Sequence, residues 1–193
     1  MKYIQVFSEA LLPLLGFLFW NWGLYFILLY YLLDLFADVI ITHLKSKKIA
    51  LYQAVEAKTW LKNGVIGGLL FISNVLLMHL AVESVFVDID FVKEAISFWT
   101  YKDLGMQQGY VLIPLVAFAA YQQYKLQFVR LKQHETYSMD RLWRGKIIAY
   151  AVILVSSVAV ILVSQIMRFD EAIYIYTIIT ITTAYQLIKD KII

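Results

Sequence analysis

Hydrophobic residues along the chain fall into six long runs, and the charged residues collect in the short segments between them. Each run is about 20 residues long, which at a rise of 1.5 Å per residue crosses the roughly 30 Å of hydrocarbon in a bilayer. The pattern predicts an all-α, polytopic integral membrane protein with a single membrane domain over residues 1–193. Its six transmembrane helices are predicted over residues 4–19, 24–44, 64–83, 106–129, 147–167 and 172–188.

The distribution of positive charge predicts the orientation of these helices. All but three of the 17 Lys and Arg residues lie at the two termini or in the two loops on the same side as the termini. The exceptions are Lys93, Lys102 and Arg168. Cytoplasmic loops carry such an excess of positive charge. We therefore expect the N- and C-termini in the cytoplasm and a multi-pass protein of the inner (cytoplasmic) membrane.

The composition limits the classes of function. Hydrophobic residues make up 62% of the chain, charged residues 16%, and the mean hydropathy is +0.71, which is far from the average of soluble domains. The absence of cysteine excludes disulfides, thiolate catalysis and Cys-ligated metals or clusters. A net charge of +3 is too small to indicate nucleic acid as a partner. We predict no cofactor, and membrane lipids are the expected surroundings.

Two connections have recognisable patterns. Residues 20–23 are too few for anything but a tight membrane hairpin, and Trp20 and Trp22 suit the headgroup level of a bilayer. Residues 50–61 are mildly amphipathic and predict a helix that lies in the membrane interface.

Two further patterns concern the third helix and the segment after it. Gly64 and Gly68 form a small-xxx-small pair, which allows close approach of another helix. In the acidic segment that follows, Asp90 is expected to cap a short helix whose aromatic residues, among them Phe91 and Phe98, face the membrane.

Three carboxylates lie inside the first two predicted spans, namely Glu9, Asp34 and Asp38. A charged residue within a membrane costs about 2.5–3.5 kcal/mol on insertion scales and is by default a candidate for function. Tyr30, Asp34, Asp38 and Thr42 recur every four residues, which predicts a polar stripe along one face of helix 2. We expect the three acids to converge on one cavity between helices 1 and 2.

Such a group of acids has three functional interpretations and one structural one. Two carboxylates in low dielectric share a proton, bind a cation, or meet a basic group of a partner subunit. In the structural interpretation, Glu9 and Asp38 are hydrated near the cytoplasmic side and only Asp34 is buried and hydrogen-bonded.

Other polar residues give weaker signals. Asn74, with Ser and Thr residues of helices 3, 5 and 6, either lines a polar path with Asp34 or joins helices through hydrogen bonds. His79 and Glu83 lie one turn apart and form either a secondary site for a metal or a proton, or an interfacial polar pair. The identity of any metal is not fixed by two ligands.

The first hairpin resembles a bacterial family of small polytopic membrane proteins of unknown function. The resemblance rests on Pro13, Gly16, Trp22, Tyr31 and an acid, Asp34, which stands where the family usually has Glu. It covers about the first 45 residues. Because that family has no established activity, the resemblance implies a bacterial source and a membrane fold but no function.

The chain contains no complete HExxH, GxSxG or glycine-rich phosphate loop, so an enzyme is the less favoured class. The leading hypothesis is proton- or cation-coupled transport, with Asp34 as the central group. The alternative is a non-catalytic subunit of a larger membrane complex or of a homo-oligomer, whose acids pair with a partner's Lys or Arg. A membrane enzyme acting on lipid or quinone is the third hypothesis.

Overall fold

The computed structural model describes residues 2–100 and 108–192, and within these residues every regular element is a helix, which confirms the all-α prediction. The elements are α1 (Lys2–Phe19), α2 (Leu24–Tyr52), α3 (Ala57–Val85), α4 (Phe91–Thr100), α5 (Gln108–Gln123), a π-helical segment (Tyr124–Val129), α6 (Gln133–Thr136), α7 (Met139–Ile166) and α8 (Glu171–Ile192). The predicted start of the fourth span, at Met106, lies outside the described residues.

Three of these helices, α2, α3 and α7, are long and apolar enough to cross a membrane. They contain 29, 29 and 28 residues. At 1.5 Å per residue each is about 43 Å long, which exceeds the roughly 30 Å hydrocarbon core. All three extend beyond their predicted bounds at the same end of the bundle, which we call the basic end because Lys45, Lys58 and Arg144 lie there.

The connection between α2 and α3 is much shorter than predicted. Helix α2 continues to Tyr52, and only residues 53–56 separate it from α3. Ala54 has φ 53°, in the left-handed region, which turns the chain within these four residues. The predicted interfacial helix over residues 50–61 was therefore wrong, because the break falls in the middle of that range.

Burial explains why α2 continues through its lysines. Ser46, Ile49 and Ala50 are almost fully buried. Ile49 and Ala50 form a small core with Phe128 of the π-helical segment and Met139 of α7. Since Lys, Ala and Leu all have high helix propensity, this burial is enough to carry the helix about two turns past the membrane-length run.

The hairpin between α1 and α2 is as tight as predicted. The backbone N–H groups of Trp20 and Trp22 both donate to the Gly16 carbonyl, at 3.1 and 3.0 Å. Trp22 is only 2% exposed, so its ring packs inside the bundle, and its depth relative to the lipid headgroups stays a prediction. Its ring fills the space that a Cβ on Gly16 would occupy, and Pro13 is fully buried nearby in α1.

Helix α2 is the central element of the bundle, because it contacts each of the other described elements. The main core surrounds its first half and includes Trp22, Phe26, Ile27 and Tyr30. Helix α3 packs most extensively on α7, and α1 packs mainly on α8. The bundle thus places α3 and α7 on one side of α2 and leaves their paired outer faces exposed.

The short helix α4 forms as predicted at the opposite, acidic end. Asp90 Oδ1 accepts hydrogen bonds from the Val92 and Lys93 N–H groups at 3.1 and 3.0 Å, which confirms the cap. Phe98 is 5% exposed and its ring lies 4.7 Å from that of Phe26. The aromatic face of α4 therefore packs on α2, where a membrane-facing orientation was expected.

Candidate functional site

A cavity of about 250 Å³ lies between α2, α3 and α7, toward the basic end of the bundle. Helix α2 is the central scaffold, α3 contributes two glycines, and α7 contributes three large side chains. The lining residues are Val39, Ile40, Thr42, His43, Leu44, Gly64, Gly67, Trp143, Lys146 and Tyr150. Most of the wall is apolar, and the few polar groups are those that carry chemistry.

An ion pair joins two of the three helices at the edge of the cavity. Lys146 of α7, which lines the cavity, places its Nζ in a salt bridge with Asp38 Oδ2 of α2. The Lys146 side chain is 17% exposed and that of Asp38 is 41% exposed. Asp38 therefore meets a basic group of the same chain, an arrangement that was not among the three functional interpretations drawn from the sequence.

Two glycines of α3 make room for the aromatic wall. A Cβ on Gly64 would lie 2.7 Å from His43 Nδ1, and a Cβ on Gly67 would lie 2.6 Å from the Trp143 ring. Apart from the adjacent backbone of α3 itself, no heavy atom of the described residues lies within 4 Å of the corresponding position on Gly68. The predicted Gly64–Gly68 pair was therefore wrong in its second member, because Gly64 and Gly67 are the glycines that admit side-chain rings of neighbouring helices.

Two polar atoms of the cavity-lining residues have unmet hydrogen-bonding capacity. Thr42 is 2% exposed, and its Oγ1 is buried without a hydrogen-bond partner among the described residues. Trp143 Nε1 is buried and lacks an acceptor in the same part of the chain. An indole N–H is only a donor, whereas a hydroxyl can donate or accept. Both atoms are fully buried, so neither faces the open space of the cavity, and they are exceptions to the usual pairing of buried polar groups.

The predicted polar stripe of α2 does not share one face. A step of four residues rotates the side-chain direction by about 40° in an α-helix, so three steps rotate it by about 120°. Tyr30 is accordingly buried in the main core, Asp34 is exposed, and Thr42 is buried at the cavity. The stripe winds around α2, and the structure brings only its Asp38–Thr42 end to the cavity region.

Of the three acids that were expected to converge, Asp34 and Asp38 have described side chains. The side chain of Glu9 lies outside the described residues, although its backbone is part of α1. Asp34 is exposed on α2 and is not among the residues that line the cavity. The cavity also lies between α2, α3 and α7, whereas a cavity between helices 1 and 2 was expected.

Asn74 lies inside α3, where it is 2% exposed. Its Nδ2 donates to the Leu70 carbonyl one turn earlier, at 2.8 Å. Its Oδ1 is buried without a hydrogen-bond partner among the described residues. Thr177 of α8, another member of the predicted polar path, donates to its own Ile173 carbonyl at 2.7 Å. These two side chains thus direct hydrogen-bond donors to carbonyl groups of their own helices and not to a neighbouring helix.

His79 and Glu83 do not form a pair of free ligands. His79 Nδ1 lies 2.7 Å from the Val75 carbonyl, so this nitrogen carries the hydrogen, and Nε2 is left to accept from the Tyr25 hydroxyl at 2.8 Å. Glu83 is exposed beside Arg168 in a separate, open pocket. Among the described residues no group of three or more His, Cys, Asp or Glu residues could hold a metal.

The sequence analysis did not select Lys146, Trp143, His43 or Tyr150 as site residues. Lys146 and His43 lie in basic segments of the sequence, and Trp143 and Tyr150 are two of its many aromatic residues. The usable signal was the small pair Gly64 and Gly67, which marks where α3 admits large side chains from a neighbour.

The residues that carry the family resemblance have packing roles in the hairpin. Gly16 and Trp22 interlock, and Tyr31 accepts a hydrogen bond from Thr182 of α8 at 3.3 Å. That relationship stays a prediction. No protein-family model matches the chain, and no curated protein and no solved structure is detectably similar to it.

Proposed function

We propose that the chain is a six-span inner-membrane protein whose Asp38–Lys146 pair binds and releases a proton during transport. The lengths of the helices that are not among the three longest support the six-span topology. Helices α1 and α8 have 18 and 22 residues, which correspond to about 27 and 33 Å. Helix α5 continues directly into the π-helical segment, so the two together reach a similar length.

The exposed apolar surface also supports six spans. Large hydrophobic side chains that are 60% exposed or more lie on helices that are not among the three longest, such as Phe19 of α1 and Phe118 of α5. Others lie on α3 and α7, such as Leu76 and Leu162. Soluble monomers rarely present large continuous apolar patches of this kind. A lipid surface around the bundle accounts for them.

One observation supports proton binding, namely the salt bridge between Asp38, inside the apolar run of α2, and Lys146, which directly precedes the apolar run of α7. Protonating Asp38 removes the negative charge that the salt bridge places against the Lys146 ammonium, and losing a counterion in a low-dielectric surrounding is costly. Protonation of Asp38 therefore destabilises the contact between α2 and α7 and favours a rearrangement of these two helices. Because the Lys146 ammonium already occupies Asp38, a proton is favoured over a metal cation as the coupling ion.

The same observation weakens the alternative of a non-catalytic subunit. In that hypothesis the intramembrane acids pair with a Lys or Arg of a partner. Asp38 finds its counterion on α7 of its own chain. A membrane enzyme remains the third hypothesis, and the absence of complete catalytic motifs in the sequence still argues against it.

Proton flux in liposomes tests the proposal. The purified protein is reconstituted into vesicles that contain a pH-sensitive dye, and proton movement is followed after pH, Na⁺ and K⁺ gradients are imposed. We expect wild-type flux to exceed that of protein-free vesicles under at least one gradient. Asp38→Asn and Lys146→Met should each reduce this flux at least tenfold.

Asp88→Asn is the matched control, because Asp88 is an exposed carboxylate in the connection between α3 and α4. It should retain wild-type flux. Asp34→Asn distinguishes the contribution of Asp34 from that of Asp38. We expect it to reduce the flux less than Asp38→Asn does, because Asp34 lies on the exposed surface. Full wild-type flux in both Asp38→Asn and Lys146→Met would refute the proposal.

A further inference from the structure

The basic end of the bundle carries a cluster of side chains beside the cavity that the Asp38–Lys146 pair does not include. His43 of α2 is half-buried and lines the cavity. The centre of its ring lies 4.8 Å from that of Trp60 of α3. The Lys47 ammonium lies 6.0 Å from the centre of the same Trp60 ring. These three residues connect α2 and α3, and we call them the His43 cluster.

The polar groups of the His43 cluster are accessible to a ligand. Neither ring nitrogen of His43 forms a hydrogen bond among the described residues, and neither is fully buried. Lys47 is exposed and forms no salt bridge in the same part of the chain. A neutral imidazole carries one N–H donor and an imidazolium carries two, so His43 offers a donor in either state. The cluster therefore presents donors to an acceptor group between α2 and α3.

The balance of charge around the cavity favours an anion. Lys146 lines the cavity, and its charge is compensated by Asp38, which does not line it. Residues 38–67 and 139–150 include all the lining residues, and they hold eight Lys and Arg residues against three Asp and Glu residues. His43 adds a further positive charge when it is protonated. This end of the groove between α2 and α3 therefore attracts a negatively charged group and repels a cation.

An exposed apolar strip on α2 leads away from the His43 cluster. It consists of Phe36, Ile40 and Leu44, which are all exposed. Around the helix axis these three residues and Lys47 lie within about 80° of one another, and the strip is about 12 Å long. The strip borders α3, because the centre of the Phe36 ring lies 5.7 Å from that of Phe71. In a bilayer such a surface faces acyl chains.

We propose that the groove between α2 and α3 at the basic end binds one anionic phospholipid of the surrounding membrane. Its phosphate accepts a hydrogen bond from His43 and lies beside the Lys47 ammonium, and one acyl chain lies along the apolar strip. Basic pockets between membrane helices on the cytoplasmic side are typical sites for anionic headgroups. The proposal rests on membrane insertion of α2 and α3 and does not depend on proton transport by the Asp38–Lys146 pair.

Native mass spectrometry of the full chain in detergent tests the proposal by counting bound lipids during a titration. Dioctanoylphosphatidylglycerol is the anionic probe, and dioctanoylphosphatidylcholine is a zwitterionic probe with the same acyl chains. Inorganic phosphate, added as a competitor, supplies the phosphate without acyl chains. We expect saturable binding of phosphatidylglycerol, with phosphatidylcholine at least about tenfold weaker because its headgroup has no net charge. Phosphate at the concentration of the lipid should not displace it.

Two variants locate the lipid. Lys47→Gln removes one cation from an exposed position and should raise the Kd of phosphatidylglycerol about fivefold, which corresponds to about 1 kcal/mol. His43→Phe keeps a ring against Trp60 but removes both ring nitrogens, and it should raise this Kd at least about twofold. The matched control is Lys125→Gln, because Lys125 is an exposed lysine on the π-helical segment, which does not line the cavity. It should keep the wild-type Kd.

Three results would overturn the proposal. Equal Kd values for phosphatidylglycerol and phosphatidylcholine would show that the headgroup charge is not recognised. Displacement of the lipid by an equal concentration of phosphate would identify a site for the free anion. A Kd that is unchanged in Lys47→Gln, or raised equally in Lys47→Gln and Lys125→Gln, would show attraction to the basic surface as a whole and no site at the His43 cluster. Should His43→Phe fail to fold, the two lysine variants still decide the question.

Discussion

Gly16 of α1 has no side chain, and the space beside its Cα is occupied by the ring of Trp22. An added Cβ would lie closer to three ring atoms than carbon atoms approach each other in proteins. Trp22 is 2% exposed and has little room to move. Gly16→Ala should therefore lower the free energy of unfolding by about 1–3 kcal/mol, as overpacked cores do.

Gly68→Ala is the matched control for this measurement. Gly68 is also inside a helix, but within the described part of the chain only the adjacent backbone of α3 lies within 4 Å of the position of an added Cβ. Alanine has the higher helix propensity, by up to about 1 kcal/mol. Thermal unfolding in detergent should show Gly68→Ala at or above the wild-type midpoint, and equal losses in both variants would contradict the interlocking of Gly16 with Trp22.

The Asp38–Lys146 pair predicts a specific pattern of stability. Asp38→Asn or Lys146→Met alone leaves one charge without its counterion, which costs about 3–5 kcal/mol for fully buried pairs. Because the Asp38 side chain is 41% exposed, we expect about 1–3 kcal/mol here. The double variant should recover part of that loss. Free energies of unfolding for all four proteins give the coupling, and strictly additive losses would show that the two residues do not interact.

At the residue scale, the sequence could indicate that Asp38 needs a partner but not which residue supplies it. The free-energy cost of placing an acid in a membrane follows from its position within an apolar run, and that position is visible in the sequence. Lys146 lies on a helix far along the chain, and its proximity to Asp38 depends on how α2 and α7 are rotated. The periodicity of a sequence shows which residues share a face of one helix. It does not show how that helix is rotated relative to another helix.

At the element scale, helix identity was predictable and helix length was not. The charges of Lys45, Lys47 and Lys48 were interpreted as the end of a helix because they end the membrane-length apolar run. In the structure, Ile49 and Ala50 bury themselves against Phe128 and Met139 just beyond them. The helix therefore ends at Tyr52, and a core built by three separate segments determines that end.

Helix α2 also begins with a contact that local sequence does not show. The Leu24 N–H donates to Glu171 Oε1 at 2.5 Å, so a carboxylate from the first turn of α8 caps the start of α2. A negative charge there also interacts favourably with the helix dipole. Glu171→Ala should cost about 0.5–2 kcal/mol, and Glu171→Gln should cost less because the amide oxygen still accepts.

Hydrogen exchange of the α2 N-terminus checks this cap more directly than global stability does. The Leu24 amide should exchange faster in Glu171→Ala, while amides at the centre of α2 keep their wild-type rates. Asp88→Ala, which removes an exposed carboxylate from a loop at the same end, serves as the control. Unchanged exchange at Leu24 in Glu171→Ala would mean that the carboxylate does not cap α2.

For the whole molecule, hydrophobic composition was sufficient to predict a helical membrane protein. The structure shows three helices that are long and apolar enough to cross a bilayer, and the lengths of α1, α5 and α8 are compatible with three further spans. Hydropathy along a chain reports how much apolar surface a helix has. It does not report whether that surface faces lipid or a neighbouring helix, so the number of spans requires a direct measurement.

The topology can be measured cleanly because the chain has no cysteine. Single-cysteine variants are made at Lys48, Asp88, Lys132 and Arg168, which lie outside or at the ends of the predicted spans. A membrane-impermeant maleimide is then applied to intact spheroplasts and to inverted membrane vesicles. If there are six spans with a basic cytoplasmic side, Asp88→Cys and Arg168→Cys are labelled in spheroplasts, whereas Lys48→Cys and Lys132→Cys are labelled only in inverted vesicles. Labelling of Lys48→Cys and Lys132→Cys from opposite sides would reject the six-span arrangement. An odd number of spans would then lie between the two positions, whereas the six-span arrangement places two spans there, α3 and α5.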